Sequence, residues 1–443
     1  METRLTLSAL LLILLPVFFG CQDYSELDPP SLDPGEITPD VYVAIGNSLT
    51  AGYQNNALYE SSQHFSFPAL IARQLGIDEF EQPLISDPGI GGRLKMTSID
   101  PPMIDSDPED AGIPLNINLN RPYNNLGIPG VLLMDVADQT DFQEKAEERG
   151  NIFFQLVLRN QALGASLLEQ AGALSPSFIT LWLGNNEILA YATSGGTNRQ
   201  TIDAFPPPTF SFIYGNVAQN IAQTNANVVV VNVPDIQNIP FFTFIPPFVV
   251  DFDTNEPILV DGEPVLWDGV SSPNDLVLLT ALEFLQQGYG LPPELGGTQG
   301  ALPPSVVLSS SQVETVIDFT TRYNDAIATR AADFGFALLD INSAFADIHQ
   351  NGYVVGSDTL TTDFVTGGLF SLDGVHPSSR GYAIIANLVI DLMNDQWNAN
   401  IPNVPVGAIP GSIPIGSDGT AVTSEMIFNL DSDIYNGVDQ IFK

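Results

Sequence analysis

Short apolar runs rich in β-branched residues alternate along most of this chain with segments of helical spacing, and that alternation constrains the fold more than any other feature. Runs of this kind are buried on both faces when helices pack above and below them, so the pattern predicts an α/β domain built on a parallel sheet. Strands are expected at residues 41–45, near 122–126, and at 178–183, 228–233 and 337–341. Helices are expected at 67–75, over a long stretch within 131–170, and at 212–224, 312–334 and 382–393. A hydrophobic share of 44% over 443 residues is ample for such a core.

Three polar segments punctuate the pattern. Gly46-Asn47-Ser48-Leu49 follows the first strand, Gly184-Asn185-Asn186-Glu187 follows the third, and Asp373-Gly374-Val375-His376-Pro377 precedes the last helix. Segments at such junctions gather at the carboxyl edge of an open α/β sheet, where ligands bind. Their chemistry fits acyl transfer. A serine hydroxyl is a weak nucleophile and must hand its proton to a base, so Ser48 needs a histidine within reach. Of the three histidines, His64 falls in a loop and His349 in a polar helix-like stretch; only His376 has a carboxylate three residues earlier. Asp373 would hold that imidazole's tautomer and stabilise the imidazolium, and the Asn186 amide would donate to an oxyanion. Each segment alone has a plainer reading as a serine turn, an Asp-Gly turn or an asparagine helix cap.

Together with Asn125-Leu126-Gly127-Ile128-Pro129-Gly130, these segments form four blocks in the order Ser, Gly, Asn, His, and in that order the chain resembles the SGNH/GDSL hydrolase superfamily. The resemblance spans roughly residues 39–397. It implies a three-layer, flavodoxin-like fold with a central, mostly parallel five-stranded sheet. It also implies a catalytic set of Ser48, Asp373 and His376, and an oxyanion hole of Ser48, Gly130 and Asn186. Pro129-Gly130 read alone is an ordinary turn signal. Two positions depart from the family pattern, Asn47 and Glu187 standing where it has Asp. Neither is a triad member in the family, so the departures bear on local hydrogen bonding and acidity. The implied activity is carboxylic-ester hydrolysis through an acyl-enzyme, without a cofactor; lipid or fatty-acyl esters are the expected substrates because the insertion at 240–308 offers apolar surface. The enzymatic alternative is a carbohydrate O-acetyl esterase; the alternative of another class is a non-catalytic binding lipoprotein on the same fold.

The amino terminus is a separate matter. Arg4, an apolar stretch from Leu7 to Phe19, and Gly20-Cys21 make residues 1–20 an export signal too short to span a membrane. Cys21 is the sole cysteine, and its place at the end of that stretch resembles a lipoprotein lipidation site. The plainer reading is a chance cysteine beside an ordinary cleavage site. With lipid on Cys21, the Pro- and acid-rich residues 21–38 become a tether, and the domain sits at a bacterial envelope. An outer-membrane anchor is expected, with the domain facing periplasm or exterior. A formal net charge of -39 with only 13 Lys and Arg argues against nucleic acid as a partner. The acidic residues show no spaced ligand motif, so no metal is assigned.

Two regions exceed the core. Residues 240–308 form a long insertion with an apolar Phe-Pro opening at 241–250 and helical spacing at 275–287. It is either a lid or binding loop whose Phe244 and Phe248 line an acyl pocket, or a subdomain packed for stability. Residues 398–443 are rich in Gly, Pro and Asp and either wrap back on the domain or stay free of it.

Overall fold

The computed structural model describes residues 32–99, 102–106, 111–251 and 256–411; the expected export signal and Cys21 lie outside them. Five strands form the central sheet: β1 (Tyr42–Gly46), β2 (Asn125–Gly127), β3 (Phe178–Trp182), β4 (Asn227–Val231) and β5 (Ala337–Leu339). Their order is β5-β4-β3-β1-β2, and every pairing is parallel. Registers such as Tyr42 with Phe178 and Trp182 with Val231 align the carboxyl ends along one edge.

Every residue of β3 is buried, which a strand achieves only when both faces are covered. On one face Phe178 meets Trp397 and Trp182 meets Phe67, edge to face. These partners belong to helices α7 (Ser379–Trp397) and α2 (Phe67–Gln74), while α1 (Ser48–Ala51) is a single turn directly after β1. Ile179 and Leu181 alternate to the other face. Among the remaining helices, α3 (Asn185–Ala192) follows β3 and α6 (Ile341–Asn351) follows β5, while α4 (Pro207–Ala222) and α5 (Ser310–Phe334) pack through Phe210 and Tyr323, rings stacked 3.7 Å apart. The three-layer α/β architecture expected from the sequence is the one observed.

Caps explain several shifted boundaries. Ser309 and Gln312 form a capping box, so α5 begins at Ser310 and not at 312. Pro207 and Pro208 open α4 five residues before the expected start, in the first-turn positions that tolerate proline. The long helical stretch expected within 131–170 is instead three short helices, Phe142–Arg149, Phe153–Leu158 and Leu167–Ala173, with 3-10 turns between and before them. Asp141 and Ser166 cap new helices there, and Gly150 ends one in the left-handed conformation.

The folded body also exceeds the expected limits of 39–397. Asp33 pairs with Asn400, Ile37 is buried, and Ile401, Val404, Val406 and Ile409 join the main core. Residues 32–38 of the expected tether and 398–411 of the expected extension are therefore parts of the packed domain.

The insertion forms a core of its own from Ile245, Val249, Trp267, Val277, Leu285 and Leu302. Of the helical stretch expected at 275–287 only Ala281–Gln286 is helical, because Leu276–Val277 pairs with Val307–Leu308 as a ribbon. Buried Asp275 anchors it to α5, accepting from the Ser310 N–H at 2.7 Å and the Ser310 hydroxyl at 2.6 Å.

Candidate active site

The site lies where β1 and β3 end side by side, the point at which successive strands begin to be added on opposite sides of β1. Asn47 leaves β1 and caps α1, its Oδ1 accepting from the Leu49 N–H at 3.0 Å. Its Nδ2 donates to Asn185 Oδ1 at 3.2 Å and so ties the loop after β1 to the loop after β3. A carboxylate at position 47 has no N–H for that bond, which gives the departure from Asp a local physical account.

Ser48, the first residue of α1, places its Oγ 2.9 Å from His376 Nε2. His376 Nδ1 lies 3.1 Å from Asp373 Oδ2. The Asp373 side chain is held on both oxygens. Oδ1 accepts from the Val375 and His376 N–H groups at 2.9 and 2.8 Å, and Oδ2 from the Asn56 N–H at 2.8 Å. Burial by itself would raise this carboxyl; the His376 charge and the hydrogen bonds from His376 and Asn56 outweigh it and hold the group down at about 2. The other histidines are elsewhere, His64 beside Glu60 and His349 bonded to Thr362.

Asn186 lines one cavity with Ser48 and His376, and Gly130 directly precedes Val131, the residue that Asn186 bonds. Asn186 is not a helix cap: Gly184 occupies that position and Asn186 is the second residue of α3. Its Nδ2 donates to the Val131 carbonyl at 2.8 Å, which uses one of two amide hydrogens and leaves the other for a ligand. Gly130 precedes that carbonyl with φ of +78°, and a Cβ there would meet Asn151 Nδ2 at 3.0 Å. Neither the Ser48 nor the Gly130 N–H has an acceptor among the described residues. Glu187 sits underneath, wholly buried, and its Oε1 accepts from the Leu133 N–H at 2.5 Å. Its Oε2 has no partner among the described residues. Burial pushes this carboxyl up to about 7, against the pull of the Leu133 N–H.

Ser48, Asn186 and His376 open onto a narrow cavity of about 30 Å³ walled by Trp182, Ile188, Val233, Ile236, Phe345 and Phe370. Among the described residues no Asp, Glu, Lys or Arg lines it. Phe244 and Phe248 do not reach it: Phe244 packs on Phe364 with ring centroids 5.0 Å apart, and Phe248 pairs with Leu266. The expectation that they line an acyl pocket is thus corrected. The insertion touches the site differently, since the Phe241 N–H donates to the Gly374 carbonyl at 2.9 Å and the Leu279 N–H to the Phe241 carbonyl at 2.8 Å. Gly374 has φ of +69°, and a Cβ on it would stand 2.9 Å from Leu279 Cδ2. Among the described residues no group of three or more His, Cys, Asp or Glu side chains is placed to hold a metal ion.

Sequence reasoning missed Tyr53, Asn55 and Asn56. The Tyr53 ring lies 4.8 Å from the His376 ring, and its hydroxyl donates to the Asn56 carbonyl at 2.6 Å. Adjacent asparagines are a turn signal, but nothing local indicates their partners more than three hundred residues later.

Several solved structures are similar in fold. Phospholipase A1 from Streptomyces albidoflavus NA297 is 15% identical, with 81% of this chain and 100% of that chain covered at a TM-score of 0.36. The α/β hydrolase from the metagenome of Lake Arreo, Spain, is 12% identical over 81% of this chain and 96% of its own, at 0.35. The extracellular lipase of Streptomyces rimosus is 14% identical over 80% and 98%, at 0.32. No curated protein matches the sequence. The sequence itself matches the GDSL-like lipase/acylhydrolase family over residues 42–389, most of its length, and the chain belongs to that family of hydrolases.

Proposed function

We propose that this hydrolase cleaves carboxylic esters with Ser48 as nucleophile, His376 as general base and acid, and Asp373 as the group that orients the imidazole. The observation that carries the proposal is the unbroken hydrogen-bond relay from Ser48 Oγ through His376 to Asp373. His376 Nε2 takes the Ser48 proton as Oγ attacks the ester carbonyl. The resulting oxyanion faces the Ser48 and Gly130 N–H groups and the remaining Asn186 hydrogen. Collapse expels the alcohol, which leaves with the proton from His376. Water then attacks the acyl-enzyme by the same proton path in reverse and releases the acid.

The apolar, charge-free walls of the cavity favour an aliphatic acyl group, so lipid or fatty-acyl esters are the substrate class we infer. One observation favours the O-acetyl esterase reading: a void of about 30 Å³ suits a short acyl group without rearrangement. Hydrolysis of a chain-length series of chromogenic acyl esters, beside acetylated sugars, by wild type and Ser48→Ala tests both. Ser48→Ala should lose nearly all turnover on every ester; most of the activity remaining would end the mechanism. We further propose that Cys21 is lipidated and that residues 22–31 tether the domain to the outside of a bacterial membrane, as the sequence before the folded body suggests.

A further inference from the structure

We propose that the tight turn at residues 54–57 is a positioning device for Asp373 and His376, with Asn55 as its grip; the proposal rests on the Ser48-His376-Asp373 reading above. The Gln54 and Ala57 backbones bond to each other in both directions, at 3.0 and 3.1 Å, and enclose Asn55 and Asn56. Those two residues have φ of +52° and +60°, the paired left-handed conformations of a type I′ turn. The turn addresses three consecutive residues of the loop that carries the acid. The Asn55 N–H donates to Ser371 Oγ at 3.0 Å, Asn55 Oδ1 accepts from the Leu372 N–H at 2.9 Å, and the Asn56 N–H donates to Asp373 Oδ2 at 2.8 Å. Asn55 is buried, and its Nδ2 is occupied by the Tyr59 hydroxyl at 2.9 Å, so the side chain has one available orientation.

The residue type follows from two demands at once. Glycine satisfies the backbone but has no side chain to hold Leu372, whereas most other residues resist a left-handed φ. Asparagine meets both demands. Because Asp373 and His376 are three residues apart on one loop, fixing residues 371–373 also fixes the imidazole that must meet Ser48. Backbone misplacement of about 1 Å in such a relay lowers turnover by as much as about 10²-fold.

Asn55→Gly keeps the turn and removes the grip. We expect kcat to fall about 10- to 100-fold with KM within about twofold. The deshielded proton resonance of His376 Nδ1–H, seen with the imidazole protonated, should broaden or disappear. Val217→Ala on α4, a core truncation outside the site, gives the comparison at matched loss of thermal stability and should change neither the kcat to KM relation nor that resonance. Should Asn55→Gly not fold, Ser371→Ala removes one of the three bonds and should lower kcat by about 3- to 10-fold. Ser48→Ala in the same assay separates the two claims. A dead Ser48→Ala beside an Asn55→Gly or Ser371→Ala that matches Val217→Ala overturns the positioning role alone. An active Ser48→Ala overturns the relay reading beneath it.

Discussion

Glu187→Gln should stabilise the protein, and by an amount that grows with pH. The Glu187 carboxyl is wholly buried, and burial lifts it from its ordinary 4.5 to about 7. Below 4.5 the group is protonated whether the chain is folded or not, and its stabilising contribution is fully present. Between 4.5 and about 7 only the unfolded chain releases the proton, so stability falls by about 1.4 kcal/mol per pH unit. Above about 7 the folded chain ionises too, and the loss is complete at about 3 kcal/mol, the difference of 2.5 pH units between 7 and 4.5. Asp135 and Arg149 are the charged neighbours, and they largely offset one another through a 2.6 Å ion pair. Glutamine does not titrate, and its carbonyl can keep the bond from the Leu133 N–H. Urea unfolding of both proteins at several pH values should therefore give nearly equal stabilities at about pH 4.5 and a gap approaching about 3 kcal/mol by about pH 8.5. A gap that stays constant across that range would refute the account of Glu187 as a buried acid whose ionisation burdens the fold.

Other expectations are more direct. His376→Ala should abolish hydrolysis, whereas His64→Ala and His349→Ala, outside the relay, should remain active; a dead His349→Ala beside an active His376→Ala would reverse the assignment. Phe244→Ser combined with Phe248→Ser should lower the melting temperature and reduce turnover of short and long esters equally, because both rings support the insertion and not the cavity; a loss growing with chain length in an ester series would contradict this. Gly374→Ala forces a Cβ to within 2.9 Å of Leu279 at a φ of +69°, so kcat should drop by at least about tenfold, measured against stability in the same preparation. Mass spectrometry of the native mature protein should find residues 1–20 removed and diacylglycerol on Cys21; an unmodified Cys21 would end the anchor proposal.

The strands and the three polar segments were legible because each is written locally. Continuous apolar runs such as Phe178–Trp182 announce burial on both faces, and the junction motifs sit within a few residues of them. Residues 131–170 misled because apolar spacing persists across Asp141, Gly150 and Ser166, while caps at those positions divide it. The opening of the insertion misled for another reason. An apolar segment must be buried, but composition does not say against what: Phe241 and Phe242 join the main core, Ile245 and Val249 the insertion's own core, and Phe244 packs beside Phe364. Asn47 and Glu187 were legible as departures, but their partners Asn185 and Leu133 required the fold.

The same distinction explains how the Asp373–His376 loop is built. Asp373 and His376 share one four-residue segment, so their mutual geometry is local, with two backbone N–H groups of that segment already closing on Asp373 Oδ1. What is not local is the placement of the segment opposite Ser48, which two remote elements supply. Residues 55 and 56 hold its leading side from the chain shortly after Ser48, and Phe241 of the insertion holds the Gly374 carbonyl. A loop gripped at adjacent residues by the β1 side of the sheet and by an inserted subdomain has little freedom to shift without breaking one set of bonds. The insertion therefore acts on the relay through the backbone of Gly374, and changes in its own packing should be felt first in kcat rather than in which ester is accepted.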